Sequence, residues 1–192
     1  MLQLVFATHN NNKLVEIQQQ LGNAFVLKSL SDINCNTDIE ETGCTFAENA
    51  SIKAQYIATN YGVNCFADDS GLCVHALDNA PGVYSARYAG SHKNDDDNMN
   101  KLLLALANST DRTAHFKTVI SFVLNNKLYL FEGEIHGTIT TQKLGTNGFG
   151  YDPLFIPNGY QQTFAELDSS VKNTISHRAI AFKQLITFLQ NI

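Results

Sequence analysis

No run of lysine and arginine occurs anywhere in the 192 residues. The 13 basic residues are scattered among 18 acidic ones, for a net charge of −5 and a pI of about 5.6. A chain so balanced does not track along a polyanion, which leaves nucleic-acid binding as the weakest functional class. A small anion gripped by a few focused groups stays open. No apolar stretch approaches the length of a membrane span. The opening MLQLVFATHNNNK has neither a charged n-region nor a small-residue cleavage site, so no signal peptide is expected. Cysteine is sparse, at Cys35, Cys44, Cys65 and Cys73, with no CxxC pair. Three of these lie in or beside apolar runs, where cysteine acts as a small buried hydrophobe. Neither a disulfide framework nor a structural zinc is expected, and a reducing cytoplasm suits the chain. The six histidines form no HExxH pair, and no glycine-rich GxxxxGK[ST] phosphate loop is present. Internal repeats and low-complexity linkers are also missing. One domain over residues 1–192 is expected, and 44 % hydrophobic content is enough for a full core.

What is present reads as alternating strands and helices. Leu2–Ala7 is a β-rich run, Thr8–Asn12 has turn chemistry, and Lys13, Leu14, Ile17 and Leu21 open a helix. A short strand is expected at residues 25–30, then an acidic loop over 31–44. Thr45-Phe-Ala-Glu48 is a capping box. The helix behind it carries Phe46, Ala50, Ala54, Ile57 and Tyr61 at spacings of three and four, and Gly62 ends it. Val63–Ala67 is the next strand, with Asp68-Asp69 at its C-terminal end, and Leu72–Leu77 continues extended. A loop over residues 78–92 precedes a helix over 95–107, whose first turn holds Asp95-Asp96-Asp97. Acidic groups there complement the helix dipole, a plainer role than metal binding. Residues 113–124 and 127–141, joined by Asn125-Asn126, predict a long hairpin. A glycine-rich loop over 145–153, a short strand at 154–156 and a final helix from about Ser176 complete the chain. The mixture predicts an α/β fold around a long central mixed sheet flanked by helices.

Four clusters could carry chemistry. Thr8, His9, Asn10, Asn11, Asn12 and Lys13 join a strand to a helix N-terminus, where free N–H groups and a positive dipole end suit phosphate. Glu40, Glu41, Asp68 and Asp69 form an all-oxygen acidic set, which suits Mg²⁺, with Mn²⁺ able to substitute, and does not suit zinc. Gly148-Phe149-Gly150-Tyr151-Asp152 lets backbone approach a flat ligand while an aromatic ring stacks on it. His177 and Arg178, after Ser176, put donors at a helix start, where an anion or carbonyl oxygen would be welcome. Within the acidic set, Asp68 and Asp69 are adjacent carboxylates beside a buried run. They tolerate their proximity if a divalent cation offsets their repulsion and lost hydration. Taken alone, each cluster has an ordinary explanation as a helix cap, a solvated loop or a turn. Taken together, they describe a nucleoside triphosphate site.

The same residues carry a resemblance. The blocks ATHNNNK (7–13), EETGCTFAENASIKA (40–54), ADDSGL (67–72), APGVYSARYAG (80–90), GFGYDPLF (148–155) and KNTISHRAIA (172–181) are similar to those of the inosine triphosphate pyrophosphatases, also called dITP/XTP pyrophosphatases. The resemblance runs nearly end to end. It implies Mg²⁺-dependent hydrolysis of ITP, dITP and XTP to the nucleoside monophosphate and pyrophosphate, removing deaminated purines from the nucleotide pool. It implies two lobes with the active-site cleft between them, a homodimer, and a cytoplasmic location. By position, Thr8–Lys13 and Lys53 face the triphosphate, and Glu40, Glu41, Asp68 and Asp69 surround the metal. Asp69 accepts a proton, Ser70 contacts substrate, and Phe149, Gly150, Tyr151, Asp152, Lys172, His177 and Arg178 line the nucleoside pocket. His9 stands where many members have glycine, and Val171 where an acidic residue is common. The rivals are a pyrophosphatase of broader substrate range and a non-catalytic nucleotide-binding module.

Overall fold

The apolar run that opens the chain forms strand β1 (Leu2–Phe6), and Asn11–Leu21 forms helix α1. The computed structural model describes residues 2–21 and 25–191. There follow β2 (Phe25–Lys28), α2 (Phe46–Tyr61), β3 (Cys65–Val74), α3 (Asp95–Ala105), β4 (Thr113–Leu124), β5 (Lys127–Ile139), β6 (Phe155–Pro157), α4 (Ser169–Ile175) and α5 (His177–Gln190). The six strands form one mixed sheet in the order β2-β1-β3-β4-β5-β6. β1 runs parallel to both β2 and β3, and β5 runs antiparallel to β6. Asn125 and Asn126 join β4 to β5 with φ of 48° and 62°. Two left-handed residues in a two-residue loop match the twist of an antiparallel hairpin, and asparagine tolerates that backbone well.

The chain divides into two compact units. The first comprises Met1–Asp69, Thr118–Gly133 and Ala179–Ile192, and the second Ser70–Lys117 and Glu134–Arg178. In the first unit, alternation along the strands sorts side chains to two faces. Leu4, Phe6, Phe66, Ile120 and Phe122 pack with Ile17 of α1 and with Ala181, Phe182, Leu185 and Leu189 of α5. The rings of Phe6 and Phe66 stack at 4.6 Å. Val5, Ala7, Cys65, Ala67 and Val123 face the other way, against Ala54 and Ile57 of α2. Leu14 is only partly buried, and the side chain of Leu21 lies outside the described residues. The second unit has its own core. Leu72 and Val74 of β3, Met99 and Leu102 of α3, and Phe116 and Phe155 belong to it. Each fully buried side chain of this size contributes roughly 1.5–3 kcal/mol.

The structure departs from the expected elements in two places. Residues 63–67 and 72–77 do not form separate strands. β3 is one strand of 10 residues, and Asp68-Asp69-Ser70-Gly71 lies in its middle. Only Ser70 of those 10 escapes full burial, so the carboxylates stand inside a core strand and not at its end. Residues 169–175, to which no element was assigned, form α4, which is too short to show a helical period. Ser176 is extended, with ψ of 156°, and separates α4 from the start of α5 at His177. The capping box at Thr45 and Glu48 forms in full, and Gly62 caps α2 at φ 65°.

Candidate active site

In the first unit, the loop after β1 is fastened before it reaches α1. The amide of Ala7 donates to the Phe66 carbonyl at 2.8 Å. Asn10 Oδ1 accepts from the amides of Asn12 and Lys13 at 2.9 and 3.3 Å, so this side chain caps the helix. The Asn10 amide donates to Thr8 Oγ1 at 3.1 Å. His9 Nε2 lies 3.0 Å from the Thr37 carbonyl and donates to it when protonated there. Asn11 and Asn12 are exposed. Lys13 alone turns inward, and its ammonium sits 2.9 Å from Asp68 Oδ1.

The acidic set is a lysine-laced cluster. Asp68 is 1 % and Asp69 7 % exposed. Lys53 Nζ donates to Glu41 Oε1 at 2.5 Å and to the Asp68 carbonyl at 2.8 Å. Burial alone would lower the Lys53 pKa, but Glu41, Asp69 and Asp68 outweigh it and hold the ammonium above its ordinary value. Asp69 moves up as well. Burial is the largest cause and Glu41 adds to it, while Lys53, Lys13 and a hydrogen bond from Asn49 pull the other way. Glu40 is exposed and takes no part in the bonds that join Glu41, Lys53 and Asp68.

In the second unit, the loop around Phe149 turns on two left-handed glycines, Gly148 at φ 78° and Gly150 at φ 62°. A Cβ at Gly148 would lie 2.0 Å from Asp152 Oδ2, so no other residue fits there. Asp152 Oδ2 accepts from the Phe149 amide at 2.9 Å and from Lys172 Nζ at 2.6 Å. That ion pair is buried, at 6 % and 4 % side-chain exposure. Lys172 Nζ and Arg178 Cζ stand 4.8 and 5.6 Å from the Phe149 ring centroid. Arg178 Nη2 also donates to Ser70 Oγ at 3.3 Å. The buried ring of His177 stacks on Phe116 at 4.8 Å with 10° between planes. Tyr151 points into the core, and its hydroxyl donates to the Ser85 carbonyl at 2.9 Å. Around one aromatic ring the structure therefore gathers two cations and a carboxylate already committed to one of them.

The Ham1 family model matches residues 4–188. The chain belongs to the Ham1 family. A dITP/XTP pyrophosphatase of Christiangramia forsetii is 56 % identical over 188 residues, covering 98 % of this chain and 99 % of that protein. One from Flavobacterium johnsoniae is 55 % identical, covering 98 % of each. Among solved structures, a HAM1 protein from Coxiella burnetii is 43 % identical, covers 100 % of both chains, and superimposes with a TM-score of 0.92.

This Ham1 chain also uses residues that the motif blocks did not single out. Asn49, wholly buried on α2, donates from Nδ2 to Asp69 Oδ2 at 3.0 Å and accepts from the Gly43 amide at 2.8 Å. It stands inside the block of residues 40–54, but no single residue type or spacing there assigned it a role. Among the described residues, no three of His, Cys, Asp and Glu converge as a ready-made metal cage. The donor set nonetheless fits a hard cation. Glu41, Asp68 and Asp69 offer only oxygen, and their three carboxyls outnumber the two lysines by one. The raised Asp69 carboxyl reflects its burial first, with the neighbouring Glu41 adding to it.

Proposed function

We propose that this Ham1 family member hydrolyses ITP, dITP and XTP to the nucleoside monophosphate and pyrophosphate, a reading supported by relatives named dITP/XTP pyrophosphatase. The observation that carries the reading is the cluster of Glu41, Asp68 and Asp69 laced with Lys13 and Lys53 beside the α1 N-terminus. Such a cluster has little use in a protein that merely binds a nucleotide. Thr8–Lys13 offers N–H donors and a positive helix end to phosphate. Asp69 takes a proton from water, and the water oxygen joins phosphorus. The bond from phosphorus to the bridging oxygen breaks, and pyrophosphate leaves with that oxygen. Asn49 holds Oδ2 of Asp69 in place for this step. Glu41, Asp68 and Asp69, with Glu40 nearby in sequence, would hold Mg²⁺, which when bound offsets the charge of the triphosphate. Phe149 stacks on the purine, while His177 and Arg178 donate to its 6-keto oxygen. Adenine presents an amino donor at that position, so donor would meet donor.

The chain acts as one domain, as a homodimer, and in the cytoplasm. All four cysteines are free, in keeping with that compartment, and no helix among the described residues is long and apolar enough to cross a membrane. The decisive experiment is a panel of ITP, XTP, GTP, ATP and dUTP with Mg²⁺, scored for pyrophosphate against phosphate. Pyrophosphate from ITP and XTP, abolished by excess chelator, is the expected result. Phosphate as product, equal rates on all five, or full turnover in chelator would overturn it.

A further inference from the structure

Phe149 is the ring on which the base recognition proposed above depends, and the peptides on both sides of it are held by carboxylates. The Phe149 amide donates to Asp152 Oδ2 at 2.9 Å from within the loop. The next amide, Gly150, donates at 2.7 Å to Oδ2 of Asp95, which belongs to the first turn of α3. The three acidic residues there do not pool their charge. Asp96 binds Lys143 and Asn100, and Asp97 binds His92 at 3.0 Å. Asp95 is the one that reaches the loop. Gly150 is left-handed and only partly buried, so the loop around it has backbone freedom to lose. The helix itself is firmly seated. Asn94 caps it, and buried Asn98 bonds both Ala89 and Ala86.

We propose that Asp95 is a positioning residue for nucleobase binding. It clamps the Gly150 amide from outside while Asp152 clamps the Phe149 amide from inside, so that the ring is presented to the purine in one orientation. This rests on Phe149 being the base platform. Without the clamp, substrate must order the loop as it binds, and the cost falls on binding and not on bond cleavage.

The test compares D95A, D95N and D96A, using KM and kcat for ITP and hydrogen exchange of the peptide spanning residues 146–152. Asparagine keeps an acceptor oxygen but loses the charge. D95A should raise KM by about tenfold, the worth of one hydrogen bond, with kcat within about twofold. Exchange in the loop should quicken. D95N should stay close to the parent in both measurements, and D96A should leave KM unchanged. If D95A and D95N behave alike, Asp95 serves only the helix dipole, and the proposal fails. It fails equally if D95A leaves KM and exchange unchanged. F149A in the same assay separates the two layers. If F149A leaves the KM for ITP unchanged, the base-platform reading falls, and with it the catalytic meaning of the clamp. If F149A raises KM and D95A does not, the clamp alone is refuted.

Discussion

Lys53→Met removes the cation that ties the acidic cluster together while keeping most of the side-chain stem. Lys53 Nζ donates to Glu41 and to the main-chain carbonyl of Asp68, and the side chain is 14 % exposed. The variant leaves that carbonyl without its donor, at a cost of about 1–3 kcal/mol. It also takes the ammonium away from Glu41. Breaking a buried pair from one side costs roughly 3–5 kcal/mol, and Glu41, at 26 % exposure, belongs at the low end. A combined loss of about 4–6 kcal/mol should lower Tm by roughly 8–24 °C in a chain of 192 residues. The charge arithmetic adds a second expectation. Three carboxyls then face only Lys13, so the cluster's excess rises from one negative charge to two. Mg²⁺ should therefore raise the Tm of the variant by more than it raises that of the parent. Calorimetry in chelator and in Mg²⁺ reads both effects. A Tm drop under about 2 °C, or less stabilisation of the variant by Mg²⁺ than of the parent, would refute the view that Lys53 balances these carboxylates.

Asp69→Asn keeps the shape and the contact with Asn49 but cannot accept a proton, so kcat should fall by about 10²–10⁴ with the circular dichroism spectrum unchanged. A fall of less than tenfold would assign the proton to another group. Arg178→Ala should lower kcat/KM for ITP sharply and narrow the gap between ITP and ATP, because a site built on a donor rejects a ligand that leaves it unpaired. Equal slowing of both substrates would assign Arg178 to the fold through Ser70. His75 and Asp111 pair at 2.6 Å. The hydrogen bond to Asp111 raises the His75 pKa above 6.5, and the bond from His75 lowers Asp111 to about 2. The histidine's contribution is full below pH 6.5 and is lost as pH rises through its raised value. The aspartate's is full above pH 3.8 and is lost as pH falls toward about 2. A scan of Tm against pH should show a decline as pH rises above 6.5 that His75→Gln lacks, and identical profiles would discount the pair.

Much of this molecule is written in neighbouring residues. The stripe Phe46, Ala50, Ala54 and Ile57 announces α2 and is buried in the structure as spaced. The Thr45–Glu48 box and the Asn125-Asn126 turn involve groups at most three residues apart, so local chemistry decides them. The motif blocks likewise named Lys13, Asp68, Asp152 and Lys172 as residue types suited to a nucleotide. What the blocks could not supply was pairing. Asp68-Asp69-Ser70-Gly71 resembles a turn by composition, yet it runs through β3, which lies between β1 and β4 in the sheet. Asn49 shows no partner in the sequence, and the structure sets it against Asp69 of β3. Asp95 read as a helix-dipole residue, and the amide it holds is 55 residues away. Lys13 and Asp68 are also 55 apart. Periodicity, capping and turn preference act over a few bonds, so the sequence alone determined the elements and the chemical character of the site. Which carboxylate meets which lysine or amide depends on strand order and helix docking, and only the closed tertiary structure decided it.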